Sequence, residues 1–338
     1  MDKAMEPLVS AVIPTRNRPA LVRRAVASAL NQSYPGLEVV VVVDGPDPIT
    51  VEQLQALAEP RLRVIALTQN VGGSEARNIG VRESRGEWIA LLDDDDEWFH
   101  DKIARQMAAR PKDAPRHCLI ACRRLERNQG EPDVIAPRRL PAAAEDVSEY
   151  MFYSSGGGRH ACGPQTSGYL ATRELFLDMP FTTGLPCHQD WDWYLRAMRN
   201  ESTVAVMMEE PLYVMHVEPQ RSRMTYVARW QLSVDWAESR RELFTPRAYT
   251  SFLINECMYR CEEKRGRMRV FRELLSRCRR SGSFSAADLL RLVKWYLFRP
   301  SLRIRLRGLA VRMRAGLSGF AAGRRALEAP TTKLEVRG

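Results

Sequence analysis

The sequence predicts an α/β protein: a mainly parallel sheet flanked by helices, followed by a helical C-terminal extension. Three observations carry this. Strand-like and helix-like patterns alternate through residues 8–92. Polar residues stand just past four successive strand ends. Beyond about residue 230 the apolar spacing is helical and the charge turns basic.

The elements follow in order. Residues 8–13 are a short run rich in β-branched side chains, which Pro14 is expected to stop. Pro19 suits the first turn of a helix, with Asn17 as its N-cap. Leu21, Val22, Ala25, Val26, Ala29 and Leu30 then recur at helical spacing. Tyr34-Pro35-Gly36 reads as a turn. Residues 39–43 are continuously apolar, as in a strand buried on both faces of a parallel sheet, and they end on Asp44-Gly45-Pro46. Residues 51–58 read as a helix, 62–67 as a strand ending near Asn70, 75–84 as a helix, and 88–92 as a fourth strand ending on Asp93. This βαβαβαβ order implies right-handed crossovers.

In open parallel sheets, ligands bind in the crevice outside the carboxyl ends of the strands. Thr15 with Arg16, Asp44, Asn70 and Asp93–Asp96 all fall there, so they point toward one crevice. The stretch LLDDDDEWF is the most telling of them. Four adjacent carboxylates after a hydrophobic strand are costly unless a positive charge answers them. A solvated acidic turn is one reading; a divalent cation bound by oxygen ligands, with a phosphate on its other side, is the sharper one.

Other classes are excluded or disfavoured. No GxGxxG follows the first strand and no GxxxxGK[ST] occurs, which argues against a dinucleotide-binding dehydrogenase and a P-loop NTPase. The longest apolar run, residues 39–43, is far short of the ~18–20 residues that span a membrane. No secretory signal is visible, since MDKAMEPLVSAVIP runs into the first strand. The seven cysteines fit no disulfide framework, and the pairs 118/122 and 257/261 have a spacing that on a helix merely shares a face. A cytoplasmic protein is expected.

The segments VSAVIPTRNRP, VVVVVDG, NVGGSEARNIGV and GEWIALLDDDDEW, followed by CHQDWDWYLRA, together resemble the family-2 glycosyltransferases of the GT-A fold. The likeness runs over about residues 8–220. It implies a GT-A domain at 1–225, with a nucleotide-binding half at 1–110 and an acceptor half at 111–225, and a helical, basic extension at 226–338. It also implies these roles. Pro14, Thr15 and Arg16 line the nucleotide pocket. Asp44 meets the base, usually uracil, although Val43 stands where the family often has a second acid. Asn70, Arg77 and Asn78 border the ribose and diphosphate. Asp93 and Asp95 are the two acids of the DxD motif, Asp95 as direct ligand of Mg²⁺ or Mn²⁺ and Asp93 on the ribose or a metal-bound water. Asp96 is a second metal candidate. Asp94 belongs to the donor site or its turn, there helping the turn or facing solvent, and the cation and Arg77 answer the charge of the run. The metal would offset charge on the leaving diphosphate.

The resemblance further makes Asp190 the base that takes the acceptor hydroxyl's proton, with inversion at the anomeric carbon. Gln189 stands where the family usually has Glu. His188 and Trp191 are candidate acceptor contacts, and Trp193, Tyr169 and Phe181 are further rings that could stack on sugars. His216 resembles a position that completes the metal shell. Asp190 and Asp192 also suit the N-terminal end of a helix over 190–200, and Asp192 is expected to be structural. The loop Ser154-Ser155-Gly156-Gly157-Gly158-Arg159 lies between the half-sites. His100, His117 and His160 are read as surface or packing residues.

The net charge of +10 is uneven: residues 279–338 carry a net +11 and the rest −1. Helical signals fall at 230–243, 248–264, 267–278 and 286–298, and LRIRLRGLAVRMR alternates apolar and basic residues. Such segments suit an anionic membrane surface, in keeping with a lipid-linked or glycan acceptor; nucleic acid is not expected, since no binding module accompanies the charge. The expected activity is transfer from a nucleotide-diphospho-sugar, a UDP-sugar foremost, in surface polysaccharide, lipopolysaccharide or glycolipid assembly at the inner face of the plasma membrane. The alternatives are a catalytically silent nucleotide-sugar-binding scaffold and a nucleotidyltransferase.

Overall fold

The computed structural model describes residues 6–128, 131–153, 163–217, 230–258, 261 and 266–297. Strand β1 (Val9–Thr15), helix α1 (Pro19–Leu30), β2 (Leu37–Val43), α2 (Pro48–Gln55), β3 (Leu62–Ala66), α3 (Gly73–Glu83) and β4 (Trp88–Leu91) follow the expected alternation. These four strands are parallel, in the order β3-β2-β1-β4. The chain winds outward from β1 to β3 and then returns to set β4 on the other side of β1. The ends of β1 and β4 therefore flank a switch point, where such sheets open a crevice.

The second half makes the sheet mixed. It contributes β5 (Asp96–Trp98), α4 (Lys102–Ala108), β6 (Cys118–Asn128), β7 (Val134–Ala136), α5 (Val147–Phe152), β8 (Tyr169–Thr172), α6 (Arg173–Asp178), α7 (Gln189–Arg199) and β9 (Val204–Val217). Beyond β4 the order continues β8-β6-β9-β5, with β7 also on β6. Strand β8 is antiparallel to both β4 and β6, whereas β9 runs parallel to β6 and then antiparallel to β5. Parallel pairing thus dominates only the first four strands. Helices α8 (Trp230–Ser239), α9 (Pro246–Phe252) with its π-helical continuation Leu253–Met258, α10 (Arg267–Arg280) and α11 (Ala286–Leu297) follow.

Alternation along β1 and β2 fills both faces. Val9, Ala11, Ile13, Val39, Val41 and Val43 pack with α1, while Val12 and Val40 face the opposite layer, which holds α7 to α11. This second cluster runs without a break from the sheet through Trp191 and Phe152 to Trp236, Phe252 and Trp295. The described helices after residue 230 are therefore part of one core with the α7 layer.

Pro14 does not stop β1, which continues to Thr15. Val12 offers its carbonyl to Leu92 on the β4 side, and Thr15 offers its own to Asp44 on the β2 side. By alternation Pro14 faces the β4 side, beyond the last β1–β4 pair at Val12 and Leu91, so its missing N–H costs no ladder bond. Asn17 is not the cap of α1. Arg18 holds that position, and Asn17 has φ 53° and donates its N–H to Asp47. Helix α2 starts at Pro48, earlier than expected, because Asp47 caps it by accepting from the Thr50 N–H. Gly80 lets α3 lie close on the sheet: a Cβ there would meet Val12 Cγ1 at 2.3 Å. Among the described residues six cysteines are buried, and Cys118 and Cys122 lie on a strand. The loop 154–159, His160 and the segment 298–338 lie outside the described residues.

Candidate active site

Leu91 and Leu92 are fully buried, and the chain turns immediately after them. The Asp96 N–H closes this turn on the Asp93 carbonyl at 3.1 Å. The four carboxylates then separate. Asp94 is buried against the end of β1, where it accepts from Thr15 Oγ1 at 2.8 Å and Arg18 Nη1 at 3.0 Å. Of the two roles the sequence suggested outside the donor site, helping the turn or facing solvent, Asp94 does not face solvent. Burial, then the charge of Asp95, pushes it up to about 6, and Arg18 and Thr15 oppose them only in part. Asp93, Asp95 and Asp96 converge instead, each offering an oxygen within 4.8 Å of the others. Alternation alone pairs Asp93 with Asp95; Asp96 joins them because the backbone turns.

Three carboxylates so close fit a hard divalent cation, which takes oxygen ligands and keeps waters and phosphate oxygens on its remaining positions. Arg18 Nη1 also lies 3.8 Å from Asp95, and Arg24 Nη2 donates to the Asp95 carbonyl at 2.6 Å. His216 is not in this group of three. It sits on β9 with Nε2 3.3 Å from Glu97 of the neighbouring β5, and burial followed by the Arg24 charge lowers its pKa.

At the other strand ends the placements differ. Thr15 is buried on Asp94 next to Pro14, and Arg16 is exposed. Asp44 is buried and accepts from the N–H groups of Val71 and Gly72 at 2.7 and 3.0 Å. It thereby holds the loop that leads into α3. Asn70 is exposed, and its Oδ1 also accepts from the Gly72 N–H at 3.2 Å.

Arg77 on α3 joins the two half-sites. Its Nη2 meets Asp93 at 2.5 Å, and its Nη1 donates to Gln189 Oε1 at 3.2 Å. Its Nε is buried without a hydrogen-bond partner, and its guanidinium stands 5.6 Å from the Phe181 ring centre. The neutral Gln189 amide leaves Asp93 as the one carboxylate in this bridge. Asn78, expected to border the ribose and diphosphate, lies on α3. It is buried and exchanges hydrogen bonds with the Phe181 backbone, donating to its carbonyl at 3.0 Å and accepting from its N–H at 2.9 Å. Its side chain ties α3 to the loop before α7.

That loop leads to Asp190 in the first turn of α7. Burial, then the nearby negative charge of Asp93, raises its pKa, while backbone N–H donors and Arg77 oppose the rise. His188 caps α7 with φ 61°, a left-handed backbone that side chains seldom adopt. It is held there by its ring, stacked 4.5 Å from Trp191, and by Nε2 at 2.9 Å from Ser233 Oγ. His188 and Trp191 are both buried among Trp236 and Phe252, so neither presents an open face to an acceptor. Trp193, Tyr169 and Phe181 are core residues as well.

Asp192 is structural. It is fully buried and accepts from Arg240 Nε at 2.7 Å, Trp236 Nε1 at 3.2 Å, Thr182 Oγ1 at 2.7 Å and Arg196 Nε at 2.9 Å. Burial works to raise its pKa, but the Thr182 and Arg240 bonds and the Arg196 charge outweigh it, and the net shift is downward.

The profile of Glycosyl transferase family 2 matches residues 10–169. WcaA of Escherichia coli (strain K12), a glycosyl transferase named for colanic acid biosynthesis, is 32% identical over 65% of this chain and 76% of its own length. The chain belongs to glycosyl transferase family 2. Its fold is that of solved glycosyltransferases. The mannosyltransferase PcManGT from Pyrobaculum calidifontis, in complex with GDP-Man and Mn²⁺, aligns with a TM-score of 0.55 at 18% identity, over 94% of this chain and 88% of that one. Residues 1–349 of S. aureus TarS, in complex with UDP-GlcNAc, align with a TM-score of 0.54 at 13% identity, over 86% and 89%.

Within this family-2 site, sequence reasoning missed Arg18, Arg24 and Ser167. Arg18 caps α1 and Arg24 lies within it, and only the fold brings them to a turn more than 70 positions away. Ser167 reaches the same turn from the strand pairing of β8 with β4. No local pattern announces any of the three.

Proposed function

We propose that this chain transfers a sugar from a nucleoside-diphosphate donor to an acceptor hydroxyl with inversion, in the assembly of a surface polysaccharide or related glycolipid. The observation that supports this is the Arg77 bridge: it ties Asp93 of the acidic group to Gln189, the residue before Asp190, and Asp190 feels the Asp93 charge. A Mg²⁺ or Mn²⁺ ion on those carboxylates would supply Lewis-acid stabilisation of the leaving diphosphate. Thr15, Arg16, Asn70 and Arg77 border the donor, with Arg18 beside the turn. Asp44 acts here by fixing the Val71–Gly72 loop beside the donor site. Asp190 holds the carboxylate that takes the acceptor proton, and its half-buried position raises its basicity.

A UDP-sugar is the first donor to test, with GDP-Man second on the strength of the likeness to PcManGT. We expect slow release of nucleoside diphosphate from one donor, in the presence of Mn²⁺ and abolished by chelator, read by a coupled nucleotide assay on the purified chain. No release from any donor would remove the transfer reading.

The acceptor reading is a glycan or lipid-linked glycan met by a cytoplasmic enzyme at the inner face of the plasma membrane. No described helix is long and apolar enough to cross a membrane. Helix α10 exposes Arg269, Arg272, Arg279 and Arg280, while α11 beside it exposes Leu290 at 71% and Leu297 at 59%. Exposed leucines beside arginines suit an anionic bilayer surface. The full chain should sediment with vesicles containing anionic lipid, and a Leu290→Glu/Leu297→Glu variant should do so several-fold less. Equal sedimentation of the two proteins would exclude this face.

A further inference from the structure

We infer that Ser167, a buried residue from the turn before β8, is a positioning residue for the cation site: it fixes both ends of the acidic turn through one hydroxyl. This rests on the proposed metal role of Asp93, Asp95 and Asp96. The Ser167 Oγ donates to Asp96 Oδ2 at 2.6 Å and accepts from the Asp93 N–H at 3.0 Å. It is fully buried, so no solvent competes for either bond. A hydroxyl offers a single hydrogen and two lone pairs. Here the hydrogen orients one carboxylate of the group, and a lone pair anchors the backbone of another.

The turn that carries Ser167 is itself held from behind. The Ser167 carbonyl accepts from Trp98 Nε1 at 2.9 Å, and the next carbonyl, of Gly168, accepts from Gln106 Nε2 at 3.0 Å. The fully buried Lys102 ammonium ties those two supports together, donating to Gln106 Oε1 at 2.6 Å and lying 4.3 Å from the Trp98 ring centre. Gly168 packs so closely that a Cβ would meet the Cys122 carbonyl at 3.0 Å. Ser167 therefore cannot drift without disturbing α4, β5 and β6 together. Groups that orient metal ligands from behind typically change metal affinity about 10–100-fold when removed.

The test is Mn²⁺ binding to the full chain without nucleotide, read from the free-ion signal in electron paramagnetic resonance, alongside thermal melting. Ser167→Ala should remain folded and bind Mn²⁺ about tenfold or more weakly than wild type. Trp98→Phe keeps an aromatic ring, though a smaller one, but removes the Nε1–H, and should weaken Mn²⁺ several-fold. If Ser167→Ala does not fold, this second variant decides alone. Wild-type affinity in a folded Ser167→Ala, or in Trp98→Phe when that variant decides, would overturn the positioning role while leaving the metal site standing. No Mn²⁺ binding by the wild-type chain would overturn both.

Discussion

Replacing Asp190 by Asn should abolish most turnover while leaving donor binding within about twofold of wild type. A positioned general base is worth about 10²–10⁴-fold in rate. The amide keeps the shape and the position at the start of α7, so the loss should fall on kcat and not on the nucleotide affinity. The pH profile carries a second signature. Burial and the Asp93 charge raise the Asp190 pKa, so its carboxyl stays protonated to a higher pH than an ordinary aspartate at ~3.9. The base form therefore accumulates as pH rises, and the acid limb of the rate profile should lie higher than that of an ordinary aspartate. Steady-state kinetics with the donor found by screening checks both. Turnover retained within tenfold in Asp190→Asn would remove this residue as the base.

Asp192→Asn should be the most destabilising single change in the same motif. Its carboxylate is the shared acceptor for Arg240, Trp236, Thr182 and Arg196, and it joins α7 to α8. Removing one partner of a buried ion pair costs about 3–5 kcal/mol. Arg240 and Arg196 are 26% and 24% exposed, so water relieves part of the uncompensated charge and the lower end, about 3 kcal/mol, is expected. The sign of the pH dependence follows from the depressed pKa. The contribution is fully present above the ordinary aspartate range and is lost as pH falls through the lower, folded-state value. Urea melts of wild type should therefore lose stability on the acid side, and the Asn variant should lack that component. An unchanged midpoint at neutral pH would contradict the keystone role.

The two neighbours Asp190 and Asp192 show what a sequence of this kind can and cannot tell. Their spacing marks the start of a helix, and the surrounding motif points to one as a base. The number of partners on Asp192 is invisible, because Trp236 and Arg240 arrive from a helix and the residue just past its end, more than 40 residues away. The first four strands were readable for the opposite reason. Val39 to Val43 are buried on both faces, so local composition records the tertiary environment directly. Pro14 misled for a simple cause: a missing N–H matters only where a neighbouring strand needs it, and β4 has already ended there. Asn78 and Asp44 are polar residues where the sequence placed a ligand crevice, yet each is engaged by backbone groups of the scaffold. Composition alone does not separate a side chain that meets a ligand from one that holds the loop the ligand meets. The acidic run was legible as a cluster, but the turning of Asp94 toward Thr15 and Arg18, away from the other three, required the fold.

The most direct test of the central claim, that LLDDDDEWF ends in a cation-dependent diphosphate site, is a calorimetric titration of the chain with UDP and with GDP. Each is run with Mn²⁺ and with chelator, and repeated on Asp95→Ala. Binding of one nucleotide with Mn²⁺, weakened at least tenfold by chelator and by Asp95→Ala alike, is the predicted result. Binding that is indifferent to both the metal and Asp95, or no binding at all, would contradict it.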